Sequence, residues 1–178
     1  MKNLCVFCGS RTGNEPEYGR AARELGGMLA SVNTGLVYGG GKIGLMGVLA
    51  DTVLQNGGKV YGVIPSALRD LEVAHEGLTE LIVVASMHER KQRMYDLSDG
   101  FLALPGGFGT LDEFCEILTW SQLGYHSKPI GFLNTKGYFN LLLDHFRYSV
   151  EQGFVDRSLL ERIYVADNVG EISGWLGA

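Results

Sequence analysis

The feature that most constrains the fold of this chain is an alternation between short apolar runs and longer stretches of helical periodicity. The runs have strand length and lack strict every-second-residue alternation, which is typical of strands buried on both faces. They lie at residues 4–7, 36–38, 60–64, 81–85, 101–104 and 130–133. Apolar stripes with helical spacing lie at residues 18–32, 45–53, 87–97, 114–118, 139–146 and, more weakly, 172–176. This order predicts an α/β fold with a doubly wound parallel sheet.

The chain has 178 residues, of which 46% are apolar and 20% charged, and we predict a single domain over residues 1–178. Its formal net charge is −5, and its densest basic stretch is residues 90–93. Proteins that bind nucleic acid through its phosphates usually present a broader basic face, so no nucleic-acid partner is expected. A small anionic ligand needs only one or two cations and stays compatible with this charge.

The cysteines and histidines do not have the spacing of a metal site or a disulfide framework. Cys5 and Cys8 lie within one strand, where positions i and i+3 face opposite ways. They are expected to be buried thiols in a reducing compartment, and Cys115 makes the number of cysteines odd. The N-terminal apolar stretch is too short for a signal sequence, and no run reaches membrane-spanning length. We therefore expect a cytoplasmic protein without a metal and without a membrane partner.

Three predicted strands are each followed by a glycine-rich junction and then by a helix. The junctions are CGSRTG at residues 8–13, GGGKIG at residues 39–44 and PGGFGT at residues 105–110. The carboxyl ends of parallel strands share one edge of a sheet, and ligands bind at that edge. The three junctions are therefore predicted to meet at one ligand-binding edge.

Two junctions resemble nucleotide-binding motifs without completing them. Gly39, Gly41 and Gly44 match G-x-G-x-x-G, but the next strand ends GVIP, without the carboxylate that holds the ribose of NAD. Close helix–strand packing and a mononucleotide site are the alternatives for this junction. PGGFGT lacks the Gly-Lys-Ser/Thr of a P-loop, which disfavours an ATPase. Its backbone N–H groups and the following helix can still bind a phosphate monoester without a metal.

Glu113, just after the third junction, has two interpretations. Thr110 and Glu113 have the spacing of a capping box, in which the threonine caps the helix and the glutamate reaches back. A cap does not need the glycines that precede it, however. This difference favours a functional carboxylate beside a bound ligand.

Arg90 lies three residues after Met87 and four before Met94, near the apolar stripe of its helix. An inward-facing arginine needs a carboxylate or phosphate partner, unless its guanidinium reaches solvent from the edge of the stripe. Lys91 lies about 100° further around the helix and is predicted to be solvated or to contact a ligand at the rim.

Taken together, PGGFGTLDE at residues 105–113 and MHERK at residues 87–91 resemble the Lonely Guy family, the cytokinin riboside 5′-monophosphate phosphoribohydrolases. The first segment contains the family pattern P-G-G-x-G-T-x-x-E, and the second contains its partner pattern M-x-x-R-K. YGGGKIGLMG at residues 38–47 and VFCGS at residues 6–10 look like the other glycine loops of the family. The resemblance extends from the first strand to the helix after Gly137.

The resemblance implies a modified Rossmann-like fold, a homodimer and no cofactor. It also implies hydrolysis of the N-glycosidic bond of adenine-type nucleoside 5′-monophosphates, which releases free base and ribose 5-phosphate. Arg90 and Glu113 are the implied catalytic pair. The implied substrate-binding residues are Glu72, Arg90, Lys91, Gly107, Phe108, Gly109, Thr110, Leu111, Asp112, Glu113 and Thr119. The alternative is a nucleotide-binding module without hydrolysis, in which Arg90 and Glu113 form a structural ion pair.

Two residues depart from the usual family pattern. Asp112 replaces a common glutamate and keeps its charge, whereas Arg11 stands where a small polar residue is common. Arg11 either adds a cation near the phosphate or faces water. Family members often carry the label lysine decarboxylase, but that chemistry needs a Schiff-base lysine in a pyridoxal phosphate site. The sequence singles out no such lysine.

Overall fold

One parallel sheet organises the computed structural model, which describes residues 1–69 and 73–176. The strands in these residues are β1 (Asn3–Phe7), β2 (Gly35–Tyr38), β3 (Val60–Pro65), β4 (Glu80–Val84), β5 (Gly100–Ala103), β6 (Ile130–Leu133) and β7 (Ile163–Ala166). Their spatial order is β4-β3-β2-β1-β5-β6-β7, and neighbouring strands are parallel throughout. The predicted doubly wound parallel sheet is confirmed.

Helices connect these strands across both faces of the sheet. Those in the described residues are α1 (Pro16–Ser31), α2 (Gly44–Gln55), α3 (Met87–Leu97), α4 (Phe108–Gln122), α5 (Asn140–Glu151), α6 (Arg157–Leu160) and α7 (Val169–Trp175). Neither β7 nor α6 is predicted from the sequence. β7 reads IYVA, so an apolar signal was present at this edge strand, whereas α6 has only four residues and cannot show a periodic stripe. None of the helices described here is long and apolar enough to cross a membrane.

The core lies in two layers, one on each face of the sheet. Alternate residues of a strand point to opposite faces, so Leu4 and Cys5 of β1 are both fully buried but in different layers. α1, α2 and α7 cover the layer that contains Leu4. α3, α4 and α5 cover the layer that contains Cys5.

The connections change direction between β1 and β5, which are neighbours in the sheet. α1, which follows β1, lies on one face, and α4, which follows β5, lies on the other. Such a switch point opens a crevice at the carboxyl ends of the strands, where ligands of open α/β sheets bind. β2 adjoins β1 on its other side, so all three glycine junctions end at this crevice.

Candidate active site

The three glycine junctions are in direct contact with one another. The backbone N–H of Gly9 donates to the carbonyl of Pro105 at 3.0 Å, and the N–H of Leu45 donates to the carbonyl of Gly9 at 3.0 Å. Gly44 has a φ of +66°, and a Cβ there would lie 2.2 Å from the carbonyl carbon of Ser10. The prediction that the junctions meet at one edge is confirmed.

The glycines of the G-x-G-x-x-G pattern make room for protein atoms. A Cβ on Gly39 would lie 2.0 Å from Nη2 of Arg90. Gly44 lets α2 approach the first junction. Beyond the pattern, within α2, a Cβ on Gly47 would lie 1.8 Å from the carbonyl oxygen of Lys42. These contacts support close packing as the reason for Gly39 and Gly44.

An ion pair between α3 and α4 lies beneath the junctions. Nη2 of Arg90 is 3.6 Å from Oε1 of Glu113, and the two side chains are only 5% and 11% exposed. The inward orientation of Arg90 and its carboxylate partner are therefore as the sequence predicts. The alternative in which this guanidinium reaches solvent is wrong.

The start of α3, which carries Arg90, is held by a capping arrangement that was not predicted from the sequence. The hydroxyl of Ser86 accepts from the N–H of Glu89 at 3.2 Å, while the carboxylate of Glu89 accepts from the N–H of Ala85 at 2.8 Å. Ser86-Met87-His88-Glu89 has the S-x-x-E spacing of a capping box, so the signal was present. These bonds fix the first turn of α3, from which Arg90 projects.

The capping-box interpretation of Thr110 and Glu113 is wrong. α4 begins at Phe108, with Gly107 as its N-cap residue, so Thr110 already lies inside the first turn. Because Phe108 and Gly109 are already helical, Glu113 lies in the second turn, too distant from the N-cap residue to bond to it. Glu113 is instead paired with α3, and its position is explained by Arg90.

The Arg90–Glu113 pair opens into a cavity of about 220 Å³ at the edge of the sheet, which we call the active-site cavity. Its walls include backbone from the first and third junctions and the predicted residues Gly107, Phe108, Gly109 and Thr110. A Cβ on Gly107 or on Gly109 would find no neighbouring atom within 4 Å, so this part of the wall is open.

Several residues that line this cavity are not among the site residues predicted from the sequence. They include Cys8, Gly39, Met46, Leu68 and Met87. Cys8 and Gly39 stand at the ends of β1 and β2, where a ligand edge was predicted, so their positions were available as a signal. Leu68 comes from a turn after β3, and no local pattern pointed to it.

Lys91 is held by two carboxylates of α4, at 3.3 Å from Asp112 and 3.2 Å from Glu116. Its side chain is 14% exposed, so the solvated position is wrong, while contact with a ligand at the rim stays a prediction. Burial lowers the pKa of Lys91, but the bonds to Glu116 and Asp112 outweigh burial, and the net pKa is raised. The packing of α4 beside α3 supplies these partners.

The remaining predicted residues are spread more widely. Thr119 is exposed, its hydroxyl donates to the carbonyl of Cys115 at 2.8 Å, and it lines a separate apolar groove. Phe108 is 92% exposed at the start of α4, and Leu111 packs against the core beneath this helix. Glu72 lies outside the described residues.

Cys8 lies in the wall of the active-site cavity as a neutral thiol. Burial raises the pKa of Cys8 well above its usual range, and the negative charge of Glu113 raises it further. A thiol of this kind is a poor nucleophile, because the thiolate is the reactive form. In residues 1–69 and 73–176, no group of three histidine, cysteine or acidic side chains is placed to hold a metal ion.

Comparison of the sequence with known proteins identifies its relatives. The family model described as "possible lysine decarboxylase" matches residues 46–174. A probable cytokinin riboside 5′-monophosphate phosphoribohydrolase of Oryza sativa subsp. japonica is 51% identical over 97% of this chain and 75% of its own. Such an enzyme of Arabidopsis thaliana is 48% identical over 97% of this chain and 81% of its own.

The comparison of structures supports the fold alone. The molybdenum cofactor carrier protein of Chlamydomonas reinhardtii has a TM-score of 0.74 with 21% identity, over 99% of this chain and 96% of its own. The modified Rossmann-like fold that the resemblance implied is thereby confirmed.

Lysine decarboxylation, the activity in the family description, needs pyridoxal phosphate bound to a Schiff-base lysine. No lysine lines the described part of the active-site cavity. Lys91 is held as an ammonium by two carboxylates. The pKa of Lys128 is lowered by burial, but its ammonium lies over the ring of Tyr95, close to the amino end of β6. The residues present do not fit pyridoxal phosphate.

Proposed function

This chain belongs to the Lonely Guy family of cytokinin riboside 5′-monophosphate phosphoribohydrolases, and we propose that its reaction takes place in the active-site cavity. The protein is a hydrolase that cleaves the N-glycosidic bond of a nucleoside 5′-monophosphate and releases the free base. The observation that carries the assignment to this cavity is the Arg90–Glu113 pair, held 3.6 Å apart where the three glycine junctions meet.

The 5′-phosphate is placed by this proposal against residues 107–110, at the start of α4. The first N–H groups of a helix have no partner within the helix, and its N-terminal end carries a partial positive charge that favours anions. Gly107 and Gly109 leave the approach to these N–H groups free of side-chain atoms. Thr110 is buried beside Gly106 and adds a hydroxyl to the same region.

The ribose then lies between the phosphate and Glu113. In the overall reaction, water adds its hydroxyl to C1′, the bond from C1′ to the base breaks, and that electron pair stays on the base, which takes the remaining proton. Positive charge builds on the ribose as the bond breaks, as in glycoside hydrolysis. The Glu113 carboxylate stabilises this charge and orients or activates the water, while Arg90 holds Glu113 in place.

Base release from a panel of nucleotides tests this proposal. The panel contains AMP, an N6-prenylated AMP, the pyrimidine nucleotide CMP, and adenosine without phosphate. We expect release of free base and ribose 5-phosphate from the two adenine nucleotides and very poor release from adenosine, because remote phosphate binding is used at the reacting bond. Binding of AMP without base release would indicate the alternative, a nucleotide-binding module. Equal turnover of AMP and adenosine would contradict the proposal that residues 107–110 bind the 5′-phosphate.

We further propose that two copies of the chain associate through α4 and α5. Leu123, just after α4, Leu141 in α5 and Phe154, just after α5, are 60%, 84% and 81% exposed, and an interface over these two helices would cover them. Thr119 lines an apolar groove with residues of α4, α5 and α6, and it is not part of the active-site cavity of its own chain. Light scattering of wild type and Leu141→Asp tests this: we expect a dimer and a monomer, respectively. A monomeric wild type would contradict the proposal.

A cytoplasmic location is proposed on the state of the cysteines. Cys5, Cys8 and Cys115 are free, and the first two are buried. Buried free thiols are usual in a reducing compartment. Localisation of a fluorescent fusion would test this.

A further inference from the structure

Tyr138 makes a hydrogen bond to the third glycine junction, although it belongs to none of the sequence motifs of the site. It follows the turn Thr135–Gly137 after β6, and its hydroxyl donates to the carbonyl of Gly106 at 2.6 Å. The two residues are 32 positions apart in the chain. The bond lies on a second cavity of about 570 Å³, whose walls include Tyr18, Leu45 and Tyr138.

This bond determines the orientation of the peptide unit between Gly106 and Gly107. In a trans peptide the carbonyl and the N–H point in opposite directions, and the described chain contains no cis peptide bond. With the carbonyl of Gly106 directed at Tyr138, the N–H of Gly107 points away from Tyr138 and its ring. Gly107 is the N-cap residue of α4 and lines the active-site cavity.

Packing constrains this peptide unit on one side only. A Cβ on Gly106 would lie 2.1 Å from Oγ1 of Thr110, whereas a Cβ on Gly107 would have no neighbour within 4 Å. Glycine has the widest choice of backbone conformations, so the surroundings of Gly107 do not by themselves fix the orientation of the unit. The ring of Tyr138, by contrast, is held on two sides. It meets Tyr18 edge-on, with centroids 5.7 Å apart, and Phe139 at 5.0 Å with perpendicular planes.

The turn that carries Tyr138 is also tied to the start of α1. Nζ of Lys136 lies 2.8 Å from the carboxylate of Glu15, the N-cap residue of that helix. Tyr138 therefore joins a braced part of the structure to the peptide that leads into α4.

We infer that Tyr138 is a positioning residue for the reaction: its hydroxyl holds the Gly106–Gly107 peptide so that the N-terminal N–H groups of α4 are oriented for the 5′-phosphate before substrate binds. The inference rests on the proposed function, which places the phosphate at residues 107–110. Tyr138 acts through the backbone and not on the reacting atoms. Its effect should therefore appear with ligands that carry phosphate and be absent with those that lack it.

The test is Tyr138→Phe, which removes the hydroxyl and keeps the ring. We measure kcat/KM for AMP and for adenosine, and the inhibition constant of inorganic phosphate. For the variant, kcat/KM for AMP should fall about tenfold and the inhibition constant should rise by a similar factor, as for loss of one hydrogen bond that orders a charged-ligand site. Adenosine turnover should not change.

Tyr164→Phe is the matched control, because Tyr164 also donates to a backbone carbonyl, that of Glu171 at 3.2 Å, but on the far strand β7. We expect wild-type kinetics from it. Unchanged AMP kinetics and phosphate inhibition in Tyr138→Phe would overturn the inference, as would equal losses on AMP and adenosine, which indicate a general structural effect. If wild type itself neither prefers AMP to adenosine nor binds phosphate, the proposed phosphate site fails. A preference for AMP over adenosine that is as large in Tyr138→Phe as in wild type defeats only the role of Tyr138.

Discussion

The guanidinium of Arg90 lies 3.6 Å from the carboxylate of Glu113, although the two residues belong to different helices. Both helices start at carboxyl ends of strands in the central sheet, α3 after β4 and α4 after β5. The pair is largely excluded from solvent but opens into the active-site cavity. Burying two charges is costly unless they are paired, and the proposed reaction gives this pair its role in catalysis.

Glu113→Gln should lower kcat for AMP about a thousandfold, the range in which a positioned acid–base group contributes. The amide keeps the shape of the side chain but has no negative charge to stabilise the ribose or to activate water. Steady-state base release measures the effect, and circular dichroism verifies that the variant is folded. Glu24→Gln, on the exposed surface of α1, is the control and should behave as wild type. Wild-type rates for Glu113→Gln would leave its ion pair with a structural role alone.

Gly39→Ala should damage activity while the protein still folds. The new Cβ would lie 2.0 Å from Nη2 of Arg90, which is the far end of a flexible side chain and can move away. Movement of the guanidinium breaks its alignment with Glu113, so we expect kcat to fall about 10- to 100-fold, toward the value of an Arg90→Ala variant. Base-release kinetics and thermal unfolding are measured on the same preparation.

Alanine substitutions at two other glycines serve as controls, because they show what a Gly→Ala change does to kcat and to stability away from Arg90. Gly27 lies on α1, where an added Cβ would have no neighbour within 4 Å, so Gly27→Ala should leave kcat unchanged. Gly44→Ala should destabilise the fold, since its φ is +66° and its Cβ would meet backbone of Ser10. If Gly39→Ala kept wild-type kcat, the alignment of Arg90 would not limit the reaction.

Ser86→Ala should destabilise the protein by about 1 kcal/mol, the usual cost of removing an N-cap side chain. Ser86 accepts from the N–H of Glu89 and fixes the first turn of α3, next to Arg90. Urea unfolding measures the free energy of unfolding. Ser127→Ala, at an exposed position, should be neutral. Equal stability of the two variants would show that the cap contributes nothing.

Asp99→Asn should lower stability by about 1 kcal/mol at pH 7, because the charged carboxylate accepts from two backbone N–H groups. These bonds, from Asn3 at 2.9 Å and Lys2 at 2.8 Å, lower the pKa of Asp99 below its usual value. A carboxyl with a lowered folded pKa stabilises the fold above its unfolded pKa of about 3.9, and the contribution is lost as pH falls further.

The difference in unfolding free energy between wild type and Asp99→Asn should therefore be constant from about pH 7 to pH 5 and shrink below about pH 4. Urea unfolding at several pH values measures it. A difference that grows as pH falls would contradict the assigned sign.

Most of the elements could be predicted from local patterns, and the errors have physical causes. Residues of α3 and α4 showed their stripes clearly, but the start of α4 was placed too late because Gly107 and Gly109 resemble loop residues. The capping box, one of two interpretations of Thr110 and Glu113, is wrong there, while the structure has that arrangement at Ser86 and Glu89. Lys91 was judged exposed from its own helix, since the carboxylates that hold it come from α4.

By itself, the sequence determined the order of strands and helices, the meeting of three glycine junctions at one sheet edge, and the inward position of Arg90. These features follow from periodicity and from the geometry of parallel strands, which are local or topological properties. The pairing of Arg90 with Glu113 was implied by the family resemblance, but only the tertiary structure gave its distance. Only the tertiary structure decided that Gly39 makes room for the guanidinium and that Tyr138 holds Gly106. Such contacts join residues far apart in the chain, and their distances depend on how helices pack across the whole sheet.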